Sequence, residues 1–146
     1  MTHLLIERLK VSFSLYEDLV SFLDESALSL ELADLPSNSI GQQLWCVVGA
    51  RESYTRAIEN GGWAGFSCSL TREQIAVKAE VLGALKRSSE TAIKVLSGIG
   101  QPAEAQLRLA MQLLEHESQH HGQLIRYLYG LKLGVPKGLK ERYHLE

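Results

Sequence analysis

The chain has 146 residues, 45% of them apolar, with a formal net charge of -2, which describes one globular domain spanning 1–146 and excludes disordered and fibrous classes. The charges are dispersed, so no basic stripe offers itself to nucleic acid or to an anionic membrane. The opening MTHLLIERLK lacks the layout of a signal peptide, no run approaches the roughly 18 apolar residues of a membrane span, and Cys46 and Cys68 are too few for a disulfide scaffold, so a cytoplasmic protein is expected.

Proline and glycine punctuate the chain at Pro36, Gly61-Gly62, Gly65, Gly98/Gly100 with Pro102, and Gly130, Gly134 and Pro136. Four helical segments are expected between these breaks. The first covers about residues 2–33, with Leu5, Leu9, Phe13, Tyr16, Leu19, Phe22 and Leu23 at helical spacing. The second runs from about Ser39 to Asn60 behind a polar, cap-forming stretch. The third opens at Thr71, where Thr-Arg-Glu-Gln makes a capping box, and stops at Gly98. The fourth carries Pro102 in its first turn and ends near Leu131, leaving the tail from Gly134 to Glu146 as polar loop. No segment alternates strictly, so no strand is expected, and the fold class is an all-α four-helix bundle.

On a helical wheel, the fourth segment sends Arg108, Gln112, Glu115, Gln119 and Arg126 to solvent. Two apolar stripes flank that arc. Leu107, Ala110, Met111, Leu114, Ile125 and Leu128 form one; Leu109, Leu113, Leu124, Tyr127 and Leu131 form the other. One stripe is expected to face the core, the other a second core wall or a subunit interface.

His116 and His120 fall within the second stripe, one turn apart, where two imidazoles reach one cation. The plainer alternative is a pair of half-buried polar side chains satisfied by hydrogen bonds. His121 sits on the other stripe and is read as a supporting or interface residue. His116-Glu117-Ser118-Gln119-His120 also fits the zincin pattern H-E-x-x-H, in which the glutamate is the general base. A zincin needs a third ligand and a sheet over the helix. Only 26 residues follow His120 and nothing upstream reads as strand, so a metallopeptidase is the weaker alternative. Glu117 points to the middle of the apolar arc and is expected to brace the core.

The run His116-Glu117-Ser118-Gln119-His120-His121-Gly122-Gln123-Leu124 resembles the H-E-x-x-H-H-x-G-Q signature of DinB/YfiT-like proteins, without the residue often found between the His doublet and Gly-Gln. Ser39-Ile40-Gly41-Gln42-Gln43-Leu44-Trp45-Cys46, continuing to Arg51, resembles that family's S-I-G-x-x-L-x-H-x-x-x-x-R segment. What the resemblance implies is an up-down-down-up bundle, often a homodimer, with a mononuclear metal held by one histidine of the second helix and two of the fourth. Here Cys46 stands where the family carries the first histidine. A Cys46/His116/His120 set suits zinc, with nickel a second candidate, and leaves one position open. Alternatively the site has decayed and Cys46 is a small packing residue on a face with Ser39, Gln43, Ala50, Ser53 and Ala57.

GGWAGFSCSL, residues 61–70, holds Trp63 and Phe66, which are expected to plug the bundle end or, alternatively, to wall a pocket near Cys68. Arg51 is expected to hold an anion or pair with a carboxylate. The functional expectation is a divalent-metal-binding protein acting as a metal-dependent thiol transferase or hydrolase on a small molecule; the alternatives are a binding protein without turnover and a non-catalytic homodimer with a degenerate site. No catalytic residue is assigned beyond the metal set.

Overall fold

The structure, a computed structural model, describes residues 1–146 and is all-helical, with no strand. Five helices are formed: α1 (His3–Phe22), α2 (Ile40–Asn60), α3 (Lys78–Ser97), α4 (Glu104–Gly130) and α5 (Lys137–Tyr143). The four long ones pack side by side, α1 against α3 and α4, and α2 against the same two. No helix is long and apolar enough to cross a membrane.

The second segment behaves as read. Ser39 and Gln42 exchange side-chain-to-backbone bonds of 3.1 and 2.8 Å in a complete capping box, and Gly61 ends α2 in the left-handed conformation at φ 77°. The other boundaries shift. α1 stops at Phe22 rather than near residue 33, and the chain continues as a 3-10 turn, Glu25–Ser29. Leu23, Ala27 and Leu28 are still buried there, so their spacing mimics one long helix. The break is held by Lys78, whose ammonium donates to the Ser21 and Leu23 carbonyls at 3.1 and 2.7 Å, satisfying acceptors that a helix end leaves open.

The Thr71 capping box also forms, with bonds of 2.9 and 3.3 Å, but it opens only the 3-10 turn Gln74–Ala76. α3 begins at Lys78, because the chain first crosses the start of α2. Gly41 permits that crossing: a Cβ there would lie 2.5 Å from the Ile75 carbonyl oxygen and 3.0 Å from that of Leu28. The tail expected to be loop instead forms α5. Its Leu139 is buried in the core cluster and Tyr143 bonds His121; the i, i+4 pairing of these two behind Pro136 was the available signal.

The core divides into two apolar clusters. The smaller joins Ile6, Leu9 and Phe13 of α1 to Ile58 of α2, Ala92 and Leu96 of α3, and Ala110 and Leu113 of α4. The larger gathers the later half of α1, the early halves of α2 and α3, and the later half of α4, including Tyr16, Leu44, Leu85 and Leu124. Between them lies a polar layer. Arg51, wholly buried, donates to both Glu117 carboxylate oxygens at 2.7 and 3.0 Å and to the Leu85 carbonyl at 3.1 Å. Its guanidinium lies 4.3 Å from the Phe13 ring centre and 5.2 Å from that of Tyr16, and the Tyr16 hydroxyl donates to the Glu117 backbone carbonyl at 2.5 Å.

Of the α4 stripes, the one carrying Leu113, Leu124 and Tyr127 faces the core. The other buries Ala110 and Leu128 but leaves Met111 54% exposed and Leu107, Leu114 and Ile125 half-buried.

Candidate metal centre

The helical seam between α2 and α4 is built in steps. Cys46 on α2 faces His116 on α4, its Sγ 3.7 Å from His116 Nε2. One turn towards the start of α2, Gln43 Oε1 lies 2.6 Å from His120 Nδ1. Further along, the Tyr127 hydroxyl donates to the Asn38 carbonyl. The i, i+4 spacing turns both imidazoles to the same partner helix, with ring centres 4.5 Å apart.

Cys46, His116 and His120 thereby bring one potential ligand atom each within 4.8 Å of one another. These are the three residues singled out from the sequence. The donor types suit zinc, and one edge of the set matches it: bond lengths of about 2.3 Å to sulfur and about 2.0–2.1 Å to nitrogen give a tetrahedral edge of about 3.6 Å, against 3.7 Å between Cys46 Sγ and His116 Nε2.

Electrostatics favour ligation by neutral rings. Burial lowers His116 from its ordinary value, with nearby Arg51 adding to the effect. Burial, reinforced by His116, pushes His120 down to about 4. Both rings therefore keep lone pairs at neutral pH. The Gln43 carbonyl accepts the Nδ1 proton of His120 and leaves Nε2 free, as is usual around a ligating histidine. His116 Nδ1 is buried without a hydrogen-bond partner, an open polar valence that burial makes costly. Burial raises the Cys46 thiol, so a cation has a proton to displace there.

Glu117, adjacent in sequence, is no part of this cluster. Both its carboxylate oxygens are taken by Arg51 and it is fully buried, so the general-base part of a zincin has no place in this geometry. Burial raises its carboxyl, and Arg51 works against that rise. The expectation that Glu117 braces the core agrees with its position, and Arg51 takes a carboxylate of the protein rather than an outside anion.

His121 supports the fold. Its Nε2–H donates to the Ser12 carbonyl at 3.1 Å, its Nδ1 accepts from the Tyr143 hydroxyl at 2.7 Å, and its ring lies 4.4 Å from that of Tyr16. Burial pushes it down to about 4.

The 61–70 loop does not plug the bundle end. It runs back along α2, with Trp63 against Tyr54 and Phe66 against Trp45 and Gly49, and both stay partly exposed at 52% and 42%. Glycine at 49 is required because the Phe66 ring occupies the space of a side chain. Cys68 donates to the Trp45 carbonyl at 3.4 Å and lines the same cleft as Cys46, outside the donor cluster. The alternative expectation of a pocket near Cys68 holds for Cys68 but not for Trp63 or Phe66: the cleft, of about 830 Å³, is lined by neither aromatic, its walls coming from three separated segments. Comparison of the chain with protein-family models, with curated proteins and with solved structures finds no match.

Proposed function

We propose that this protein binds a divalent cation, zinc by preference, through Cys46, His116 and His120, and acts on a small molecule there in the manner of DinB/YfiT-like proteins. The observation that carries the reading is the convergence of the three donors within 4.8 Å, one of them, Cys46, lining a cleft. Zinc bound by three protein donors supplies Lewis acidity and depresses the pKa of a water or thiol at its remaining position. The protein's own contribution is to hold two neutral imidazoles in register, with Gln43 orienting His120. A metal-dependent thiol transferase or hydrolase fits such a centre.

The family resemblance rests on the residues of α2 and α4. The two core clusters support it: the start of α1 lies with the end of α2, the end of α3 and the start of α4, as an up-down-down-up order requires. A homodimer is part of this reading, and the partly exposed stripe of Leu107, Met111 and Leu114 supports it. Two free thiols suit the reducing cytoplasm.

Metal analysis of freshly purified protein tests the proposal. Zinc near one equivalent per chain is expected, with loss on His116→Ala, His120→Ala and Cys46→Ala while helix content is unchanged. Folded protein that takes up no zinc overturns it, and leaves a non-catalytic bundle with a degenerate site.

A further inference from the structure

The cleft beside Cys46 runs between the first turns of α2 and the two chain segments that cross them, residues 28–39 and 68–76. Its volume of about 830 Å³ lies in the range of small-molecule sites, roughly 300–1,000 Å³. One side is apolar and fixed. Trp45 is anchored by its indole N–H to the Leu70 carbonyl at 3.1 Å, and Leu70 and Ile75 continue the wall. The absent side chain of Gly41 lets the Leu28 and Ile75 backbones close onto α2.

The cleft also holds two charged side chains of opposite sign, Glu31 and Arg72. Both are exposed, and neither forms an ion pair with the other or with any other residue. Neither enters the side-chain hydrogen bonds that tie down the neighbouring Ser37, Ser39 and Thr71. A separated cation and anion around one apolar wall complement a molecule with the same features in reverse.

We infer that the cleft binds a zwitterionic, amino-acid- or dipeptide-like molecule, its carboxylate to Arg72, its ammonium to Glu31 and its apolar body on Trp45, Leu70 and Ile75. Cys46 belongs both to this cleft and to the donor cluster, so a molecule held in this way lies beside the metal position. The inference rests on the metal-site reading only in naming the ligand a substrate; the recognition itself belongs to the cleft.

Leucyl-leucine, its N-acetyl form and its C-terminal amide are suitable probes, titrated calorimetrically into zinc-treated protein at neutral pH. Leucyl-leucine is expected to saturate one site, with each blocked form about five-fold weaker, the scale of an exposed ion pair. In Arg72→Ala the amide and the free acid should bind alike; in Glu31→Ala the acetylated and free forms should. Both side chains are exposed and unbonded, so the variants should melt as the parent does. Failure of leucyl-leucine to saturate, equal binding of all three forms, or preferences that survive in the variants would overturn the inference. Zinc content of the same samples separates the two ideas. Zinc at one equivalent without dipeptide binding sinks the cleft assignment alone, and charge-selective dipeptide binding without zinc sinks the metal reading alone.

Discussion

His116 and Glu117 are neighbours in sequence and face the same helix, yet the layers they belong to differ in kind. In the Arg51–Glu117 layer every strong polar group finds a partner inside the protein: two bonds to the carboxylate, one to the Leu85 carbonyl, and the Tyr16 hydroxyl on the Glu117 backbone. In the Cys46–His116–His120 layer one possible ligand atom from each residue converges, Cys46 also lines a cleft, and His116 Nδ1, on the far side of its ring from Cys46, is buried with no partner. Polar residues in a core are structural when they close on one another. Where ligand atoms converge instead, the group could hold a metal ion.

The sharpest way to break this comparison is to open the closed layer. Arg51→Ala or Glu117→Ala leaves one charge buried and alone, and should cost about 3–5 kcal/mol in urea unfolding. Arg51→Met combined with Glu117→Leu should cost far less than either change alone, because no charge is stranded. A single-alanine cost below about 1 kcal/mol would show that the pair is not sealed.

Acidification comes next. His120 and His121 hold off protonation to about pH 4 in the fold, whereas in the unfolded chain they take up protons below about 6.5. The unfolded state therefore binds more protons between those values, and stability falls as the pH drops from about 6.5 towards 4. The slope is up to about 1.4 kcal/mol per pH unit for each ring, measurable by denaturation of metal-free protein. His121→Gln should flatten that dependence in part; an unchanged slope would reassign it.

Gln43→Met tests the open layer. Removing the acceptor of His120 should weaken zinc binding about 10- to 100-fold, read by chelator competition, with helix content unchanged and some loss of stability from the unpaired buried N–H. Unaltered affinity would mean that Gln43 does not orient the ring. The smallest effect is expected on the surface, where Arg108 and Glu104 make an i, i+4 pair at 2.5 Å. Arg108→Ala should shift stability by no more than about 0.5 kcal/mol, a baseline against which the buried pair is judged.

Local chemistry accounts for what was legible. The polar cap before α2, the Gly61 stop and the solvent arc of α4 are written in adjacent residues, and they form as read. The spacing of His116 and His120 sets both rings on one face whatever surrounds them, because helical geometry alone dictates it. The resemblance added Cys46, a residue that spacing within α4 has no means of naming.

Tertiary structure decided the rest, wherever the deciding partner is far away in sequence. Leu23, Ala27 and Leu28 keep a helical rhythm across a real break, since burial rewards position and is indifferent to how the backbone arrives there. α1 ends where Lys78, more than fifty residues later, reaches its last carbonyls. Thr71 caps a short turn because the chain must still cross Gly41. Glu117 is structural, rather than a base beside two histidines, because Arg51 meets it across the seam. Periodicity assigns a side chain its direction; only the packed helices decide what it meets there.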